Sequence, residues 1–265
     1  MSFSKTQVDR LGERLKVGLH TESDLRLLDD YRRSFGEAYE AVLRTIRQRG
    51  EFPTGRLAKS TRSIVEKLRR ESIRLSQMQD IAGCRVVVAN IVQQEQFVAS
   101  LRTDFIGASV MDRRDKPSYG YRAVHIIAEI SGKPIEIQVR TSLQHLWAEL
   151  SEKSSDVIDP TIKYGGGPDK WRSILTGSSK AVASYEVFEK KFFEAVATHE
   201  MFKIVVQLSE HHAPDHVVQE RRGNLEDSTR RIEELHKELL RLWNVNADGL
   251  ARAISWLDKL KGKKQ

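Results

Sequence analysis

Apolar positions recur at helical spacing in the first fifty residues. Val8, Leu11 and Leu15 form one stripe, and Leu28, Tyr31, Phe35, Tyr39, Val42 and Ile46 form another. They predict a first helix around Leu11 and a second that starts at the capping candidates Thr21 and Ser23. Gly50 to Gly55 reads as a loop. Residues 56–72, RLAKSTRSIVEKLRRES, read as a basic amphipathic helix with Ile64 and Leu68 inward. CRVVVAN is a short apolar run suited to a buried strand. Residues 91–107 predict a helix with Val92, Phe97 and Leu101 inward, and Ser109 to Met111 a further strand. From Tyr119 the period changes to two. Two strands around a four-residue turn, Ser131 to Pro134, place Val124, Ile126, Ile137 and Val139 on one face. Tyr121, His125, Glu136, Gln138 and Arg140 fall on the other, and a helix follows to Lys153.

Strand, helix, strand, hairpin and helix in that order predict an α/β (α+β) chain. A mixed β-sheet domain, residues 56–160, is flanked by an N-terminal helical segment, 1–55, and a C-terminal helical extension, 161–265. In the extension, Gly165 to Gly167 reads as a flexible connection, and Pro214 interrupts the helix that would align His212 with His216. A late helix carries Ile232, Leu235, Leu239 and Leu242, and a last one Leu250, Ile254, Leu257 and Leu260. These stripes suit packing or a homo-oligomer.

Composition narrows the class. With 39% hydrophobic and 31% charged residues, the 265-residue chain can bury a substantial core. Its net charge of +7 favours an anionic partner, and by charge alone nucleotides, RNA and acidic membranes all qualify. One cysteine, Cys84, excludes an internal disulfide and suits a reducing cytoplasm. No apolar run reaches membrane-spanning length, so no membrane partner is expected. Arg32, Arg33, Arg44, Arg47 and Arg49 read as a solvated helix face.

Candidate chemistry gathers in two places. Ser63, Lys67 and Arg70 are spaced four and three apart, and Lys59 and Arg56 extend this positive rail towards the helix start. Such a rail can seat a polyphosphate, and on this segment alone an ordinary basic helix explains it equally well. The GxxxxG spacing of Gly50 to Gly55 is followed by Arg56 and Leu57, so a Walker loop is not supported. Asp80 precedes the apolar strand and Arg85 lies inside it. Beside a phosphate rail Asp80 is a natural Mg²⁺ ligand, and the competing reading is an Asp80–Arg85 ion pair. The second place is the polar face of the hairpin.

Four pieces, KSTRSIVEKLRR, DIAGCRVV, SYGYRAVH and EIQVRTSLQHLWAEL, resemble in order the RelA/SpoT family of nucleotide pyrophosphokinases, which make the alarmones pppGpp and ppGpp. They span about a hundred residues, Arg56 to Lys153. The resemblance implies that Lys59, Ser63, Lys67 and Arg70 hold the phosphates of ATP and that Arg85 stacks on adenine. An arginine before Lys59 would stack there too; Arg56 stands three residues before Lys59 where the family has two. It implies Mg²⁺ on Asp80, with Glu136 sharing the metal or acting as base. Tyr121 would stack on the acceptor guanine, with His125 and Gln138 lining its pocket and Arg114 and Lys116 contacting its phosphates. A cytoplasmic (p)ppGpp synthetase of the small, synthesis-only type is the leading reading, with ATP and GDP or GTP as substrates. The second is the family's toxin branch, which pyrophosphorylates the 3′ end of tRNA or adenine nucleotides and would have an antitoxin partner. The third is a non-catalytic basic RNA-binding protein, which has no use for Asp80 and Glu136.

Overall fold

Residues 3–262 are described by the computed structural model, and they fall into two compact units. The first takes in residues up to Val88, with Gln96–Arg113 and Ala123–Arg140. The second comprises Ala89–Glu95, Arg114–Arg122 and the chain from Thr141 onward.

The first unit is built on a five-stranded mixed sheet in the order β1-β2-β5-β4-β3. Its strands are β1 (Thr54–Arg56), β2 (Ala82–Val88), β3 (Ser109–Asp112), β4 (Val124–Ile130) and β5 (Lys133–Thr141). The alternation expected of the hairpin is present. Val124, Ile126, Ile137 and Val139 are buried, while His125, Glu136 and Gln138 occupy the opposite face. The turn between β4 and β5 is shorter than expected. Only Ser131 and Gly132 lie outside the ladder, and Lys133 and Pro134 pair with Ile130 and Glu129. Both turn residues have positive φ, 51° and 73°, which is the twist that a two-residue hairpin turn requires. Gly50 to Gly55 also differs from a plain loop, because Thr54, Gly55 and Arg56 form β1 against Arg85, Cys84 and Gly83. β2 is buried on one face only: Val86 is buried and Val87 exposed.

Helices α1 (Lys5–Val17), α2 (Glu22–Arg33), α3 (Gly36–Gln48) and α4 (Thr61–Arg70) share the sheet's core, with α5 (Ile91–Asp104) packing its later turns there. The stripe from Leu28 to Ile46 is buried as expected, but it belongs to two helices. Ser34 turns its hydroxyl back onto the Tyr31 carbonyl at 2.6 Å, an alternative to the helical ladder, and α3 restarts at Gly36. Lys133 sits over the Tyr31 and Phe35 rings at this break, 5.0 and 4.8 Å from their centroids. Gly12 in α1 meets the turn at Leu75 so closely that a Cβ would stand 2.7 Å from the Leu75 Cβ. Gly12→Ala is therefore expected to cost about 1–3 kcal/mol by overpacking. Calorimetry should show a lowered Tm, and an unchanged Tm would contradict this packing.

The second unit is helical. α6 (Ser142–Val157), α7 (Asp169–His212) and α8 (Asp215–Gly262) enclose Leu143, Trp147, Leu150, Leu175, Val182 and Leu257. α7 and α8 are antiparallel, joined through Ala213 and Pro214, with Trp171 near Trp256 and Phe192 stacked on His236. The two late helices expected after Pro214 are one 48-residue helix. Gly249 does not divide it, since packing along α7 outweighs the roughly 1 kcal/mol propensity cost of a glycine. Among the described residues no helix is long and apolar enough to cross a membrane.

Candidate active site

A residue just ahead of α4, the last turn of that helix and the turn ahead of β2 bring three charged side chains together, Lys59, Lys67 and Asp80. Ser60 caps α4, its hydroxyl accepting from the Ser63 amide at 3.2 Å, and the Lys59 amide donates to the Ile81 carbonyl at 2.7 Å. Lys59 therefore stands just ahead of the helix, tied to the residue that follows Asp80. Its ammonium donates to one Asp80 oxygen, and Lys67 from within α4 donates to the other at 3.0 Å. Burial pushes the Asp80 carboxyl upward, but the charges and hydrogen bonds of Lys59 and then Lys67 hold it below its ordinary range. Burial likewise lowers the Lys59 ammonium, against the pull of Asp80. The Asp80–Arg85 alternative is not what forms.

Glu136 is the centre of a second cluster, on the polar face of the hairpin. One of its oxygens is 2.9 Å from His125 Nδ1, and the other accepts from Gln138 Nε2 at 2.7 Å. The ladder explains the contact: Gln138 is the direct partner of His125, so Glu136 lies diagonally across from the imidazole. Gln138 in turn accepts from buried Arg140 at 2.7 Å. Burial raises the Glu136 carboxyl, and the hydrogen bond and charge of His125, with Gln138, lower it further than burial raises it. The net result is a carboxylate at neutral pH. Asp80, in the turn just ahead of β2, pushes it back up, and β2 is the neighbour of β5, which carries Glu136. Gly83 of β2 keeps that approach open, since a Cβ there would stand 2.9 Å from the Glu136 carbonyl oxygen.

Two ionised carboxylates that feel each other suit a cation that takes one or two protein oxygens and completes its shell with phosphate and water. No group of three or more His, Cys, Asp or Glu is arranged for a metal among the described residues. Two carboxylates are a donor set that could suit Mg²⁺ whose remaining ligands are phosphate and water oxygens. Cys84 is buried in the core. Burial and the Glu136 charge push its thiol up to about 12.

Residues 55–155 match the family model for the region found in RelA/SpoT proteins. That stretch holds both carboxylate clusters. The chain carries a RelA/SpoT region.

Its relatives include uncharacterized proteins of Mycobacterium tuberculosis and Mycobacterium bovis, each 37% identical over 117 residues. That match covers 43% of this chain and 43% of each relative, less than half of either. Among solved structures, the small alarmone synthetase 1 from Bacillus subtilis is 28% identical with a TM-score of 0.48. The match covers 67% of this chain and all of that one.

Within the RelA/SpoT region the remaining expected residues are spread out. Ser63 and Arg70 lie on α4, and Arg70 pairs with Glu71 at 2.8 Å. Arg56 is exposed on β1, opposite Gly83. Arg85 is half-buried on β2, with its Nε enclosed and without a hydrogen-bond partner. Tyr121, Arg114 and Lys116 belong to the second unit. Tyr121 is not in the strand, which starts at Val124; it closes a turn in which its amide donates to Ser118 at 3.0 Å. Arg114 donates to Gln94 at 3.3 Å, and Lys116 is exposed.

Arg32 on α2 was masked by the run of arginines, Arg32 to Arg49, that reads as a solvated face. Only 11% of its side chain is exposed, and it donates to Thr61 at 2.8 Å and pairs with Asp29 at 2.7 Å. With Arg33, Lys59 and Ser60 it lines a pocket of about 300 Å³. Its position 29 residues from Thr61 left no sequence signal of that neighbourhood.

Proposed function

We propose that this chain is a (p)ppGpp synthetase, which transfers the β,γ-pyrophosphate of ATP to the ribose 3′-OH of GDP or GTP. The observation that supports this reading is the pair of ionised carboxylate clusters, Asp80 with Lys59 and Lys67 and Glu136 with His125, inside a RelA/SpoT region. Pyrophosphoryl transfer calls for charge neutralisation, alignment and a proton acceptor, with little covalent work by the protein. In this reading Lys59, Ser63, Lys67 and Arg70 hold the ATP phosphates, with Arg85 and Arg56 at the adenine. Each unit carries acceptor candidates, His125 and Gln138 in the first and Tyr121, Arg114 and Lys116 in the second. Asp80 and Glu136 would hold Mg²⁺, which neutralises phosphate charge.

Glu136 accepts the proton of the 3′-hydroxyl as its oxygen bonds to the β-phosphorus of ATP. The bond from that phosphorus to the α,β-bridging oxygen breaks, and AMP leaves with the oxygen. His125 and Gln138 orient the carboxylate for this proton transfer.

Incubation with γ-labelled ATP and, separately, GDP, GTP, ADP or deacylated tRNA tests the proposal. Label is expected in the guanosine nucleotides. Label confined to tRNA or to adenine nucleotides would replace this acceptor by that one, and transfer to none of the four would overturn the synthetase reading.

A further inference from the structure

The segment that carries Arg114, Lys116 and Tyr121 has no regular secondary structure beyond its Ser118–Tyr121 turn, yet it is held at three points. At its start, Arg114 donates to Gln94, which exchanges hydrogen bonds with Gln144 of α6 at 2.8 and 3.3 Å. Gln144 then donates to Glu186 of α7 at 2.8 Å. At its end, Arg122 donates to the same Glu186 from both Nε, at 3.1 Å, and Nη2. Glu186 is 6% exposed, so one buried carboxylate serves both ends of the segment.

The middle is gripped by shape. Tyr119 and Gly120 adopt positive φ, 53° and 91°. The Gly120 carbonyl accepts from Ser179 of α7 at 2.7 Å, and a Cβ on Gly120 would stand 2.7 Å from the Trp147 ring. The Tyr119 ring lies against Gly165, where a Cβ would come within 2.3 Å of it. Gly165 was expected to be a flexible connection. Its φ of 82° and this contact make it a fitted surface instead.

We infer that α7, through Glu186 and Ser179, holds residues 114–122 in the conformation that receives the acceptor nucleotide. The C-terminal helices are thereby part of acceptor recognition, not an appendage to the synthetase region. Glu186 is a positioning residue; it acts through Arg122 and, by way of Gln144 and Gln94, through Arg114. The inference rests on the acceptor role proposed above for Tyr121, Arg114 and Lys116.

Hydrogen exchange and steady-state kinetics on the full chain test it together, with Glu186→Gln and Ser179→Ala as independent variants. Gln keeps the side-chain shape and can still bond Gln144, but it loses the charge facing Arg122. Amides in 114–122, Tyr121 above all, are expected to exchange about tenfold faster on loss of one charge-assisted bond. Protection in α6 and α8 should be unchanged. The KM for the acceptor should rise about tenfold with the KM for ATP near wild type, a split that general loosening would not produce. Unchanged protection of 114–122 in both variants would overturn the holding role, whatever the activity. Faster exchange with an unchanged acceptor KM would overturn the link to recognition. Faster exchange in a wild-type background that transfers to no acceptor would uphold the holding role and sink the synthetase reading alone.

Discussion

Glu136→Gln is expected to lower turnover by about 10²–10⁴-fold, the range for loss of a positioned general base, while ATP still binds. The substitution keeps the shape of the side chain and one acceptor oxygen. His125 at 2.9 Å and Gln138 at 2.7 Å can therefore adjust without a cavity, and the fall in Tm should be confined to the loss of the charge-assisted bond, about 1.5–3 kcal/mol. What is lost is the carboxylate proposed to accept the proton. Because His125 and Gln138 lower that carboxyl more than burial raises it, the base form is complete at neutral pH. Loss of its base form on acidification is accordingly expected only below the ordinary carboxylate range. Single-turnover transfer from γ-labelled ATP, with nucleotide affinity measured in parallel, checks both halves. Wild-type rates in the Gln variant would remove Glu136 from the chemistry.

Asp80→Asn is expected to be comparably severe for a different reason. On the proposed metal role, removing this carboxylate would forfeit several kcal/mol of charge stabilisation, on the order of 10³-fold in rate. The Mg²⁺ concentration for half-maximal activity should rise, and Mn²⁺ binding followed by electron paramagnetic resonance should weaken in the presence of ATP. The variant has a second signature that does not depend on turnover. Asp80 accepts from both Lys59 and Lys67, and burial already lowers the Lys59 ammonium. Without the carboxylate that ammonium loses its main compensation, and its pKa falls further. A charged hydrogen bond is worth about 1.5–3 kcal/mol, so the Tm should drop as well. Unaltered Mg²⁺ dependence and Mn²⁺ binding would refute the metal role, and an unaltered Tm would refute the structural one.

Much of the site was legible because strand periodicity is strict. His125, Glu136 and Gln138 share a face by alternation alone, and the antiparallel ladder turns that sharing into contacts of 2.7–2.9 Å. Lys67 was legible from helix spacing, Lys59 as an extension of the same rail one turn earlier, and Asp80 from its place at the entry to the strand. Tyr121 was placed one element too far. Continuing the alternation back from Val124 put it on the strand, whereas positive φ at Tyr119 and Gly120 bends the chain into a turn first. The two-residue hairpin turn and the break at Ser34 were missed for a related reason. Both depend on a local backbone state, and residue type only biases such states.

By itself, then, the sequence determined the elements, their inward faces and the residue types capable of phosphate and proton chemistry, because helix and strand periods are local properties. Which groups meet was decided by the tertiary structure. β2 lies beside β5 although α5, β3 and β4 intervene in the chain, and that neighbourhood makes Asp80 and Glu136 feel each other. Glu186 reaches Arg122 across 64 residues, and Arg32 reaches Thr61 across 29. Contacts at such separations follow from packing of whole elements around a core, and no local pattern encodes them.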